Sequence, residues 1–141
     1  MNIYLDCEFT GFQGQLMSMA LVAENGEEFY EVVEWTVEPH PWVVENVIPV
    51  LNKPAIPKLQ FQTALYAFLK PFKYIHIVAD WPEDIKYFSE SLITGPGDMM
   101  NITNPITMEI CRRLDSVSAI PHNALEDARG IRTAHMKAYG I

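Results

Sequence analysis

The dipeptide Asn25-Gly26 separates two strand-like runs, and it constrains the fold more than any other feature of the chain. Asn-Gly in this setting is the strongest short-range hairpin signal, because both residues accept the positive φ that a tight turn needs. Leu16 to Ala23, before the turn, is a nearly continuous apolar run with Ser18 inside it, as a buried strand would be. Glu28 to Val37, after it, reads as the return strand. Asn2 to Cys7 is rich in β-favouring residues and reads as a further strand. A loop from Thr10 to Gln15, carrying Gly11 and Gly14, joins it to Leu16. The chain therefore opens with a three-stranded antiparallel meander.

The remainder alternates helix and strand. Prolines 39, 41, 49, 54 and 57 punctuate the next stretch, with room for a short helix over Val43 to Leu51. Leu59, Gln62, Leu65, Phe68 and Leu69 predict an amphipathic helix that ends before Pro71. Tyr74 to Ala79 predicts a fourth strand. Pro82 stands where a first helical turn accepts proline, and Ile85, Phe88 and Leu92 continue a helix stopped by Gly95-Pro96-Gly97. Met99 to Asn104 fits either state, and Met108 to Leu114 reads as helical. Asn123 to Ala138 predicts the last helix, with Asn123 as N-cap and Glu126 three residues on, a capping-box pair. Strands first, then alternation, predict one α/β or α+β domain over residues 1–141, with a mixed sheet flanked by helices.

Composition narrows the function classes. With 49% hydrophobic and 20% charged residues the chain is globular in character. Its 10 Lys and Arg against 18 Asp and Glu give a net charge of −8, which excludes a protein that coats nucleic acid by bulk positive charge. It leaves room for a site that holds cations. No apolar run reaches membrane-spanning length, so no membrane partner is expected. Met1 to Glu8 lacks a basic leader region, and Cys7 and Cys111 build no disulfide framework; both point to a cytoplasmic protein.

Three segments concentrate chemistry. In a strand, residues two apart face the same way, so Asp6 and Glu8 point to one side and Cys7 to the other, toward the core. Two packed carboxylates repel unless a proton or a cation intervenes, and hard divalent cations take oxygen ligands of this kind. Asp-x-Glu alone is also what an exposed acidic strand end looks like. In Pro121 to Asp127, Asn123 as cap puts His122 just outside the last helix and Asp127 one turn in. That offset brings an imidazole and a carboxylate toward one point; a loop His and a dipole-favoured acid would look the same. In Ala79 to Phe88 a strand runs into a helix with Asp80, Glu83 and Asp84 at the junction, where α/β sheets bind ligands.

In this order, Asp6-Cys7-Glu8-Phe9-Thr10-Gly11, Asp84 with Tyr87 and Phe88 behind it, and His122 to Asp127 resemble the histidine-containing branch of the DEDD exonuclease superfamily. The branch has Asp-x-Glu before Thr-Gly, an Asp that opens a helix, and a His five residues before an Asp. The commoner second motif places Asn before its Asp. Trp81-Pro82-Glu83 stands there instead, so Asp80 stays open as the alternative to Asp84. Leu16 to Gly26, Trp42 to Leu51 and His122 to Asp127 are most similar to the small RNase AS-type exoribonucleases.

The resemblance implies an RNase H-like α/β fold in which Asp6, Glu8, Asp84 and Asp127 hold two divalent cations, Mg²⁺ or Mn²⁺. It implies His122 as general base toward the attacking water. It implies nucleoside 5′-monophosphates released from the 3′ end of single-stranded RNA. No residue pattern reads a 2′-hydroxyl, so single-stranded DNA remains the alternative substrate, and a non-catalytic binding module the alternative role. Phe9, Thr10, Gly11 and Phe12 are implied to meet the last nucleotide. Trp35 and Trp81 are further stacking candidates, Trp35 reading mainly as core. Phosphate contacts are open to Lys53, Lys58, Lys86, Arg112, Arg113, Arg129 and Arg132. Homodimers occur among the relatives. His40, His76 and His135 have no evident partners, and His76 reads as structural.

Overall fold

A computed structural model describes all residues 1–141. The chain folds as β1 (Asn2–Phe9), β2 (Leu16–Ala23), β3 (Glu28–Val33), α1 (Pro41–Asn46), β4 (Ala55–Ile56), α2 (Lys58–Leu69), β5 (Ile75–Ala79), α3 (Pro82–Ser91), β6 (Ile93–Gly95), β7 (Asp98–Met99), β8 (Ile106–Ile110) and α4 (Ala124–Tyr139). Six strands form one mixed sheet in the order β4-β3-β2-β1-β5-β8. β1, β2 and β3 are the antiparallel meander, while β1–β5, β5–β8 and β3–β4 pair in parallel. No helix is long and apolar enough to cross a membrane.

The period-2 alternation of β1 sorts its side chains. Ile3, Leu5 and Cys7 enter the main core with Phe61, Leu65 and Leu69 of α2 and Tyr87 and Phe88 of α3. Tyr4, Asp6 and Glu8 face the opposite side, where α4 lies: Tyr4 packs with Ile131, and Ala20 and Val22 with Ala124 and Ala128. Those alanines let α4 approach closely. Gly130 does the same for the loop before it, since a Cβ there would stand 2.4 Å from the Val117 carbonyl oxygen.

Several expectations need correction. Met108 to Leu114 is not helical; Ile106–Ile110 is the parallel edge strand β8, and the Cys111 N–H donates to the Ala79 carbonyl one step beyond it. Hydrogen bonds offered by β5 outweigh the local helix propensity of Met, Glu and Arg. β3 stops at Val33 rather than Val37, because Glu34 N–H turns to Ile56 and the Gln15 side chain accepts from Thr36 and Val37. The Val43 to Leu51 helix is α1 plus a separate 3-10 turn at Ile48–Val50, broken around Pro49. In α2 the buried stripe is Phe61, Leu65 and Leu69, and Leu59 is 77% exposed. α3 ends at Ser91, and Pro96-Gly97 makes the turn of the β6–β7 hairpin, with Gly95 paired to Asp98. Asn123 Oδ1 does accept from Glu126 N–H at 3.0 Å. The reciprocal half of the capping box is absent, since Glu126 pairs with Arg129 and Asn123 N–H donates to Ile120.

Candidate metal and nucleotide site

Four elements converge at the carboxyl ends of β1 and β5. β5 pairs with β1 only as far as Val78 opposite Tyr4, then leaves the sheet at Asp80. The β1 edge beyond that point needs another acceptor, and Asp84 of α3 supplies it: its Oδ1 accepts from Cys7 N–H at 3.2 Å. Asp84 comes from the α3 side of the sheet and is 3% exposed. Asp127 comes from the first turn of α4, where its Oδ2 accepts from His122 N–H at 3.2 Å. His122 sits at φ +72° and sets its ring edge-on to Trp42, with centroids 4.9 Å apart.

The carboxylates form two groups that share one member. Donor atoms of Asp6, Asp80 and Asp84 lie within 4.8 Å of one another, and so do those of Asp6, Glu8 and Asp127. Asp80 and Asp84 are thus not exclusive alternatives; both stand beside Asp6. Asp6 Oδ2 is buried without a hydrogen-bond partner, as is Ser18 Oγ on the strand paired with Glu8. A small cavity of ≈ 190 Å³ lined by Asp80, Ser116, Ser118, Asp127 and Ile131 opens onto Asp6. An orphaned carboxylate oxygen among like charges is what a hard divalent cation would complete, so these residues fit Mg²⁺ or Mn²⁺.

Proton affinities follow from that crowding. Burial, then the charges of Asp84, Glu8, Asp127 and Asp80, hold the Asp6 carboxyl well above the usual range. Glu8 is pushed up to about 9 by burial and then by Asp127 and Asp84. Asp84 is raised by burial and Asp80, with the Cys7 N–H opposing. Burial also raises Asp127 and Asp80, opposed at Asp127 by the Ser118 hydroxyl and then the His122 N–H, and at Asp80 by its own backbone N–H and then Arg112.

The residues named for substrate divide. Phe9, Gly11 and Phe12 line a cleft of ≈ 420 Å³ with Glu8, His40, Trp42 and Val43, and Phe12 is 86% exposed. Thr10 is buried outside that cleft. Its hydroxyl and carbonyl accept from Gln15 and His40 N–H, and its own N–H donates to Gln15, so it braces the loop. A larger cavity, ≈ 480 Å³ and lined by Lys58, Gln62, Tyr87 and Glu90, holds none of the carboxylates. Trp35 packs on the Met17 and Val32 cluster, and Trp81 donates to Glu83 beneath the Arg112 guanidinium.

Of the basic residues, Arg129 is held by Glu28 and Glu126, Arg132 by the Ala23 and Glu24 carbonyls, and Lys53 by Glu31. Arg112 donates to the Asp80 carbonyl and so stays at the site's rim. Sequence reasoning missed Trp42, whose contact with His122 spans most of the chain, and His40, whose Nδ1 accepts from Trp42 N–H as the cap of α1. No family model matches the chain, and no curated protein matches it.

Proposed function

We propose that the protein is a divalent-cation-dependent 3′→5′ exoribonuclease of the histidine-containing DEDD type, acting on single-stranded RNA and releasing nucleoside 5′-monophosphates. The observation that carries the reading is the double membership of Asp6, whose orphaned carboxylate belongs both to the Asp80/Asp84 group and to the Glu8/Asp127 group. The strand order around β1, with its antiparallel meander on one side and parallel strands on the other, suits the RNase H-like fold that the motifs imply.

Mg²⁺ or Mn²⁺ would be held by Asp6, Glu8, Asp84 and Asp127, with Asp80 as a further oxygen donor. Paired ions of this class activate water and stabilise the entering and leaving oxygens at phosphorus. The chain's own groups supply the rest. The His122 ring, placed by its backbone tie to Asp127 and by Trp42, takes the proton from the attacking water. Phe9 and Phe12, beside Glu8 in the cleft, offer apolar faces on which the terminal base stacks. A second copy of the chain as partner belongs to the same reading.

End-labelled RNA and DNA oligomers incubated with Mg²⁺ or Mn²⁺ test it. The expected result is stepwise shortening of RNA from its 3′ end, abolished by chelator. DNA shortened well ahead of RNA would overturn the substrate class. Hydrolysis of neither, by protein that takes up the cation, would replace the enzyme with a binding module.

A further inference from the structure

We propose a second, chemically different cation site on the same face of the sheet, built from Glu109, Cys111 and His135 and suited to a zinc-class ion. One donor atom of each lies within 4.8 Å of the others. They come from β8, from the residue just past it, and from the C-terminal half of α4. The site rests on these residues alone and is independent of the exoribonuclease reading.

The donor set decides the ion. A thiolate, an imidazole and a carboxylate together suit Zn²⁺, whereas Mg²⁺ takes oxygen ligands. Cys111 and His135 are 8% and 5% exposed, while the Glu109 side chain is partly open and gives an entry path. Donors about 2.0–2.3 Å from one zinc ion stand about 3.3–3.8 Å apart in a tetrahedron. His135 Nε2 is 4.0 Å from Glu109 Oε1, too long for a hydrogen bond and within a small torsional adjustment of that spacing.

The surroundings hold these donors in place. His135 Nδ1 is 2.9 Å from the hydroxyl of fully buried Tyr4. With the proton on Nδ1 donated to Tyr4, the Nε2 lone pair is free, and Nε2 makes no other hydrogen bond. A metal-bound histidine is oriented through its second nitrogen in this way. Glu109 Oε2 is held by His76 Nε2 at 3.0 Å, and His76 Nδ1 by Thr107 at 2.6 Å. Cys111 Sγ has only the Tyr139 hydroxyl, at 3.8 Å. On binding, the thiol proton leaves to solvent and sulfur enters as thiolate. Three protein donors leave a fourth position for water. The ion would tie the end of edge strand β8 to the last turns of α4.

Titration of the full chain with Co²⁺, followed by displacement with Zn²⁺, tests the site. The expected result is one equivalent of Co²⁺ that gives a thiolate-to-metal charge-transfer absorption, lost to Zn²⁺ and retained in millimolar Mg²⁺. Cys111→Ser and His135→Gln each abolish that absorption. Tyr4→Phe weakens Zn²⁺ binding by about 10–100-fold, with the circular dichroism of the fold unchanged. Asp6→Asn, which disrupts both carboxylate groups, leaves the absorption in place. A chain that gives no such absorption, or one whose absorption survives Cys111→Ser or His135→Gln, overturns the proposal.

Discussion

Replacing Asp6 by Asn removes one ionisable carboxyl from both carboxylate groups while keeping the side chain's size, and its effect on stability can be worked out. At the 4.8 Å limit of each group, two ionised carboxylates repel by about 3–4 kcal/mol at an effective dielectric of about 20. In the folded, metal-free protein the carboxyls of Asp6, Glu8 and Asp84 are raised by burial first and then by neighbouring charges, Asp84 acting on Asp6, Asp127 on Glu8 and Asp80 on Asp84. An acid raised in the folded state contributes stability that is full below its unfolded value and declines as pH climbs toward the folded one. For Glu8 that window runs from about 4.5 to about 9. Within the window each such group removes about 1.4 kcal/mol per pH unit. For 141 residues the unfolding entropy is roughly 0.3 kcal/mol per degree, so each group lowers the melting temperature by about 5 °C per pH unit.

Thermal unfolding followed by circular dichroism between pH 5 and 9, with chelator or with Mn²⁺, measures this directly. In chelator the wild-type melting temperature falls across the range, and Asp6→Asn falls less steeply by about one group's share. Mn²⁺ at a hundredfold excess over its dissociation constant restores about 2.7 kcal/mol, or about 9 °C, per site. Asp6→Asn loses most of that rise at both groups, whereas Asp80→Asn leaves the Glu8/Asp127 group whole. A wild-type melting temperature that is flat or rising with pH in chelator, or an Asp6→Asn variant with the full Mn²⁺ response, would refute the reasoning.

His122→Ala lowers the rate of RNA hydrolysis by about 10²–10⁴ while the Mn²⁺ thermal shift survives, and loss of both together would make His122 a ligand instead. Asp84→Ala loses more activity than Asp80→Ala and also leaves the Cys7 N–H unpaired, costing about 1–3 kcal/mol in urea unfolding; an Asp80→Ala variant that is worse on both counts reverses the assignment. Single-stranded RNA binding, measured in Ca²⁺ against salt, falls with a log–log slope shallower than about −1.5, the value for about two phosphate contacts, because Arg129, Arg132 and Lys53 are held by protein groups. A slope steeper than about −3 would reveal a basic groove.

The features legible in the sequence were those fixed by local chemistry. Asn25-Gly26 turns the hairpin, Pro82 starts α3, Asn123 caps α4, and strand alternation puts Asp6 and Glu8 on one side. What escaped depends on partners distant in the chain. In the sequence Asp80 reads as an alternative to Asp84, and that both stand beside Asp6 follows from β1 pairing with β5 up to Tyr4 opposite Val78, which no local pattern states. Trp42 meets His122 where α1, through Val43, packs with Met17 of β2 and Val32 of β3. Reading Met108 to Leu114 as a helix also hid the Glu109, Cys111 and His135 group. In a helix residues 109 and 111 diverge; in the extended chain of β8 they share a side, and that side faces α4.

The two donor groups follow from one piece of geometry. β1 presents Glu8, Asp6 and Tyr4 to α4 at intervals of two, and α4 presents Asp127, Ile131 and His135 to β1 at intervals of four. Matching the two rows puts Asp6 and Glu8 opposite Asp127, and Tyr4 opposite His135, with Ile131 between them in an apolar layer. Eight residues of helix separate Asp127 from His135 by about 12 Å. Carboxylate oxygens at one end of the row suit a hard ion; at the other end the His135 nitrogen meets Glu109 and Cys111 from the end of β8, a set that suits a softer one. Helix α4 thus contributes to both proposed sets, with β1 completing the first and the end of β8 the second. With Asp6, Glu8, Asp84 and Asp127 as the proposed ligands, 14 acids stand against 10 bases elsewhere, so half of the net −8 belongs to the proposed site and half to the rest of the chain.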